Sequence, residues 1–186
     1  MVADVSALIL AGGKATRFGG IAKHELVVDG ETIFTRQVAV LAPRVAEILV
    51  SSPRDLAGYR TVRDAVADVG PLAGIAAGLA ACRTPWLVVV AGDMPYITGR
   101  LIDQLLGGLG DSVAPSDAVG IRRGRLAEPL VCVLHVRVLP VVMERIAAGR
   151  YKASGLLTDE GLAVRWIEDA DPAALRNVNS PEDLGS

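Results

Sequence analysis

The stretch Leu8–Lys23, LILAGGKATRFGGIAK, decides how the rest of the chain is read. Its apolar beginning belongs to a run, Val5–Leu10, with the character of a strand buried in a sheet. The run opens into a loop with glycines at Gly12, Gly13, Gly19 and Gly20, cations at Lys14, Arg17 and Lys23, and no acid. Glycines let the backbone approach a ligand closely, and successive N–H groups beside positive charge form an anion-binding concavity. Open α/β sheets hold their ligands at the carboxyl ends of strands, which is where this loop begins. The ligand class that fits is a polyphosphate. Spacing excludes two common phosphate loops, since the stretch has neither the Gly-x4-Gly-Lys-Ser/Thr of a P-loop nor a G-x-G-x-x-G entering a helix.

Outside this stretch, 186 residues suffice for one domain with a substantial core, and a single domain over 1–186 is expected. The composition is 51% hydrophobic but only 4% aromatic, so that core must be built from Ala, Val, Leu and Ile, as in a mainly parallel sheet covered by helices. The fold class expected is α/β, a three-layer sandwich with an antiparallel edge. No apolar run is long enough to span a bilayer and no signal peptide is apparent, so a cytoplasmic location is expected. A net charge of −2, with both signs scattered along the chain, argues against nucleic-acid or membrane surfaces. Cys82 and Cys132 lie in apolar segments without metal-ligand spacing and read as structural thiols.

In chain order, Glu25–Val28 reads as a short extended piece ending at the Asp29-Gly30 turn. A helix over Glu31–Leu41 follows, with Thr32 as its cap and Pro43 as its stop. Glu47–Val50 and Thr61–Arg63 are further strands. Asp68–Ala81 is a helix of small apolar residues with Pro71 in its first turn, a composition that suits burial against a sheet. Trp86–Val90, WLVVV, is a central strand that runs directly into Asp93. Thr98 caps a helix to Leu106, which ends in the glycine cluster at Gly107, Gly108 and Gly110. From Ser112 the pattern turns extended, over Val113–Pro115, Gly120–Arg123 and Leu130–Val136, predicting antiparallel strands that wall the site. Val138–Ala148 reads as a helix interrupted by Pro140, Ser154–Glu160 as a short helix and Ala163–Ile167 as a strand. Ser180–Asp183 reads as a helix start.

Charge shifts across a triphosphate during transfer, and Arg17 as a planar fork and Lys23 as a point charge can stabilise it; Lys14 reads more as a solvated loop residue. A carboxylate after a buried strand, Asp93, fits either a backbone cap or a ligand for Mg²⁺, which takes one or two carboxylates plus phosphate oxygens. Asp64 ends another strand, as a cap or a second site acid. Asn177 and Asn179 alternate about Val178, so an extended backbone sends both amides to one side. They read as local caps or as ligand contacts. His24 and His135 show no partner pattern. No Ser-His-Asp or Cys-His set is visible, and transfer to a phosphate monoester needs none, because its second pKa of about 6 leaves it largely ionised at neutral pH.

LAGGKATRFGGIAK, DVGPLAG, VVVAGDMPYI, AEPLVCVLH and NVNSPEDL, in that order and nearly end to end, resemble the molybdenum cofactor guanylyltransferase family. The resemblance implies a nucleotide-diphospho-sugar transferase type fold that joins GMP from GTP to molybdopterin or the molybdenum cofactor and releases pyrophosphate with Mg²⁺. It implies that Leu10, Ala11, Gly12 and Gly13 hold the nucleotide, with Ser51 beside them, Arg17 and Lys23 at its phosphates, Asp64 at the nucleoside and Asp93 at the metal. Asn177, Asn179 and the region of Tyr151 and Lys152 fall on the molybdopterin side, and cofactor-delivery proteins are a further class of partner. The chain departs from the family pattern at Ala22, where Asp is usual, at His24, and at Glu128-Pro129, where His-Pro is usual. Two alternatives stay open: a CTP-using cytidylyltransferase, because base choice rests on backbone contacts in the first loop, and, from the departures at Ala22 and Glu128, a catalytically weak homologue that serves as a nucleotide- or cofactor-binding module.

Overall fold

A computed structural model describes residues 4–12, 22–63, 69–110, 115–159, 161–178 and 183. Its strands are β1 (Val5–Leu10), β2 (Val27–Val28), β3 (Glu31–Thr32), β4 (Glu47–Ser51), β5 (Arg60–Val62), β6 (Trp86–Ala91), β7 (Ala118–Arg123), β8 (Leu126–His135) and β9 (Val164–Ile167). The helices are α1 (Ile33–Leu41), α2 (Pro71–Ala81), α3 (Gly99–Gly107) and α4 (Leu139–Ala147). Seven strands form one sheet in the order β5-β4-β1-β6-β8-β7-β9, and β2 pairs with β3 in a separate hairpin. β1 is buried along its whole length, with β4 and β6 parallel on either side.

Alternate strand residues feed two cores, as the period of two demands. Ala7, Ile9, Val88 and Val90 face Leu41 of α1 and Leu101, Ile102 and Leu105 of α3. Leu8, Leu10, Leu87 and Val89 face Leu72, Ile75 and Leu79 of α2 and Val142 and Ile146 of α4. The result is the expected three-layer arrangement. α2 packs closely against the sheet because Gly74 and Gly78 share one face: a Cβ on Gly74 would lie 2.6 Å from Ser51 Oγ, and one on Gly78 would lie 2.5 Å from Leu8 Cδ2.

The antiparallel part comes from β8, which lies inside the sheet between β6 and β7, while β9 pairs parallel with β7 and closes that side. Only Val131–His135 of β8 pair with β6, in a register where Val90 faces Val131. The first half of β8 therefore continues past the carboxyl end of β6 and stands as a wall beside it.

Four local expectations change. Glu31 and Thr32 are paired in the β2–β3 hairpin, so α1 begins at Ile33, with the Thr32 hydroxyl accepting from Thr35 N–H. Pro140 lies in the first turn of α4, where its missing N–H costs nothing, so the helix is not interrupted. Ser154–Glu160 is no α-helix over its described residues: a 3₁₀ turn at Ala153–Gly155 leads into turns, with Gly155 pressed against the Arg145 side chain. Pro115 is not in a strand, whereas residues 113–114 and most of Ser180–Asp183 lie outside the described residues.

Candidate active site

The carboxyl ends of β1, β4 and β6 meet in one place. Leu10 pairs with Ser51 on one side and with Ala91 on the other. The Ala11 N–H donates to the Ser51 carbonyl at 2.9 Å, and the Gly92 N–H donates to the Leu10 carbonyl at 3.1 Å. A side chain at Gly92 has no room, because its Cβ would stand 2.6 Å from the Leu10 oxygen. The first loop and the Asp93 turn thus leave the sheet in contact. Leu10, Ala11 and Ser51 are buried, and Gly12 is exposed at the mouth.

A 3₁₀ turn at Lys23–Glu25 brings Lys23 back over this edge. Lys23 Nζ donates to Asp93 Oδ2 at 2.9 Å, with the two side chains 28% and 17% exposed. Residues separated by 70 positions are joined at the point where the strands end. The second carboxylate oxygen, Asp93 Oδ1, is buried without a hydrogen-bond partner among the described residues. An acceptor in that state suits a hard cation.

Three backbone carbonyls hold the Asp93 turn. Gln37 of α1, fully buried, donates through Nε2 to Ala91 O at 2.7 Å and Met94 O at 3.1 Å. The Val178 N–H donates to Asp93 O at 2.8 Å. Val178 is buried against Leu26, Val28 and Ile33, which places exposed Asn177 beside the Asp93 turn. Next to it, the Arg176 guanidinium lies over the Tyr96 ring at 5.2 Å.

Sequence reasoning missed Gln37, although a signal was present. Ile33, Gln37 and Leu41 recur every four residues on the buried face of α1, and an amide in an apolar stripe needs buried partners. It also missed the proximity of Arg54, whose charge reaches His24 beside Lys23. Among the other predicted residues, Lys152 is exposed, with its carbonyl accepting from Arg145 at 2.9 Å, and no described contact joins it to Lys23 or Asp93. Tyr151 is exposed. Gly13, Lys14, Arg17, Asp64 and Asn179 lie outside the described residues. Cys132 is fully buried and its thiol is pushed up to about 12, far from thiolate chemistry.

His24 is buried behind Lys23, edge-on to Phe34 and bonded to the Ala11 backbone. Burial holds its imidazole below the ordinary 6.5, against raising contributions from Glu25 and the Ala11 bond. His135 is lowered too, by burial and by Arg137. A depressed histidine pKa means the unfolded chain takes up the proton first as pH falls. Stability is therefore expected to be level above about pH 7 and to fall as pH drops below about 6.5 in urea denaturation, before the carboxylates titrate. A His24→Asn variant should show a shallower decline there; an unchanged slope would show that His24 contributes nothing to it.

Comparison with known proteins agrees with this geometry. The sequence profile of the MobA-like NTP transferase domain matches residues 7–172. A molybdenum cofactor guanylyltransferase from Pseudomonas putida is 39% identical over 186 aligned residues, covering 96% of this chain and 95% of that protein. One from Serratia proteamaculans is 34% identical, covering 97% and 92%. In fold, molybdopterin-guanine dinucleotide biosynthesis protein A from Archaeoglobus fulgidus superposes with a TM-score of 0.77 at 23% identity, covering 96% of this chain and 94% of that one. A 2-C-methyl-D-erythritol 4-phosphate cytidylyltransferase from Thermus thermophilus superposes at 0.74 with 20% identity, covering 97% and 95%. The chain is thus a nucleotidyltransferase and belongs to the MobA-like NTP transferase family, as a relative of its molybdenum cofactor guanylyltransferases.

Proposed function

We propose that this enzyme transfers GMP from GTP to the terminal phosphate of molybdopterin, metal-bound or metal-free, and releases pyrophosphate with the help of Mg²⁺. The observation that carries the reading is the contact of Lys23 with Asp93 where adjacent parallel strands end. The names of the curated relatives supply the substrate.

In this reading an oxygen of the acceptor phosphate attacks the α-phosphorus of GTP, a bond forms there, and the bond to the β-phosphate oxygen breaks. No base is required, because the acceptor is already ionised at neutral pH, with its second pKa about 6. The chain has three tasks: to align two anions, to offset their repulsion, and to stabilise charge moving onto the leaving group. Gly12, exposed beside buried Ala11, gives the phosphates an approach to the backbone. Lys23 places an ammonium at the phosphates, and Arg17 is assigned the same task. Asp93, with its unpartnered Oδ1, would hold Mg²⁺, which when bound neutralises phosphate charge as pyrophosphate departs. Ser51 and Asp64 are assigned to the nucleotide, and Asn177, Asn179 and Lys152 to the pterin side.

Purified protein supplied with Mg²⁺ and molybdopterin is expected to release pyrophosphate with GTP and at least tenfold more slowly with CTP, the factor that about 1.4 kcal/mol of base discrimination gives. Release with CTP alone would reassign the base. Tight nucleotide binding with no release from either would make the chain a binding module.

A further inference from the structure

Gln37 does more than fill space beneath the site. α1 is tied at its start to the Lys23 segment, since the Ile33 N–H donates to the Leu26 carbonyl at 2.9 Å. One turn further on, the single amide nitrogen of Gln37 is divided between Ala91 O and Met94 O, the two carbonyls that bracket Gly92 and Asp93. The side chain is 0% exposed, so water does not substitute for either bond. Its amide oxygen is buried without a partner among the described residues, as is Asp93 Oδ1. A glutamine that leaves its own acceptor unsatisfied while serving two carbonyls of one turn is placed there for the shape of that turn.

We infer that Gln37 is a positioning residue: it fixes the Ala91–Met94 turn against α1, and through that turn it sets the affinity of Asp93 for its divalent cation. The inference rests on the assignment of Asp93 as the metal ligand. It separates shape from charge, because Gln37 contributes no charge and its bonds end on backbone. An apolar residue of similar length preserves the packing but leaves Ala91 O and Met94 O without a donor. A glutamate preserves the shape and, when ionised, presents oxygens to oxygens.

The experiment measures Mn²⁺ binding by electron paramagnetic resonance to the full chain saturated with GTP and without acceptor, so that no turnover occurs. Wild type, Gln37→Met, Gln37→Glu and Asp93→Ala are compared, with far-UV circular dichroism and melting temperature for each. Both Gln37 variants are expected to bind Mn²⁺ about tenfold more weakly, the scale on which outer partners of metal ligands act. With acceptor added, the Mg²⁺ concentration for half-maximal pyrophosphate release is expected to rise by a similar factor. A loss of stability alone would lower the melting temperature and leave the affinity of the folded molecules unchanged. Folded variants that bind Mn²⁺ within twofold of wild type, while Asp93→Ala does not bind it, would overturn the role of Gln37 and spare the metal assignment. Unchanged binding in Asp93→Ala would overturn both. Should Gln37→Met not fold, Gln37→Glu, which keeps the length and outline of the native side chain, decides the matter.

Discussion

Alanine at Asp93 is expected to lower the rate of pyrophosphate release by about 10³-fold, at the upper end of what removal of one electrostatic contributor costs an active site. The reason lies in where this carboxylate stands. Of its two oxygens, Oδ2 takes the Lys23 ammonium at 2.9 Å and Oδ1 is buried with no described donor. The residue thus has one oxygen committed to a cation and a second suited to a hard metal ion. Among the described residues no group of three or more His, Cys, Asp or Glu side chains is placed to hold a metal. Asp93→Asn keeps the outline of the side chain and removes the charge; a loss as large as that of alanine would identify charge as the cause. Because the turn is fixed through backbone carbonyls, both variants should keep the wild-type circular dichroism spectrum. Steady-state release with GTP and molybdopterin is the measurement, and a rate within tenfold of wild type would remove Asp93 from the chemistry.

Lys23→Ala is expected to cost about 10²-fold in the same assay, with a raised KM for GTP. The Lys23 side chain is 28% exposed at the mouth of the site, close enough to solvent to exchange Asp93 for a phosphate oxygen when substrate arrives. Its partial exposure also makes the ion pair a small contributor to folding, so the variant should remain folded. Lys23→Arg should recover only part of the loss, because a planar fork does not reproduce a compact point charge. The two residues touch, so the Lys23→Ala, Asp93→Ala double variant should lose far less than the product of the single losses. Multiplicative losses would mean that they act independently.

The parts of this molecule that follow local rules were legible beforehand. WLVVV reads as a buried strand and Pro71 as a helix start in any context, and β6 and α2 form there. That Lys23 and Asp93 share one edge was legible for a different reason: the loop that carries Lys23 leaves β1 and the Asp93 turn leaves β6, and parallel strands bring such ends together. Strand order beyond β6 was not, because β8 between β6 and β7 depends on which hydrophobic faces meet across the sheet. Gln37 escaped because its partners are carbonyls more than fifty positions away, and backbone acceptors leave no mark in a sequence. The departures at Ala22 and Glu128 were visible, and the structure gives one of them a local partner. Glu128 pairs with Arg123 at 3.0 Å across the β7–β8 hairpin, an interaction that a neutral histidine would not make.

The bond from Val178 to Asp93 bears on how the enzyme is made. The acid turn is synthesised halfway along the chain, yet one of its three clasps arrives more than eighty residues later. A growing polypeptide on the ribosome can complete β1, β4 and β6 and still lack the strap that closes over the turn. The Asp93 turn therefore receives its last backbone clasp only after most of the sheet has been made.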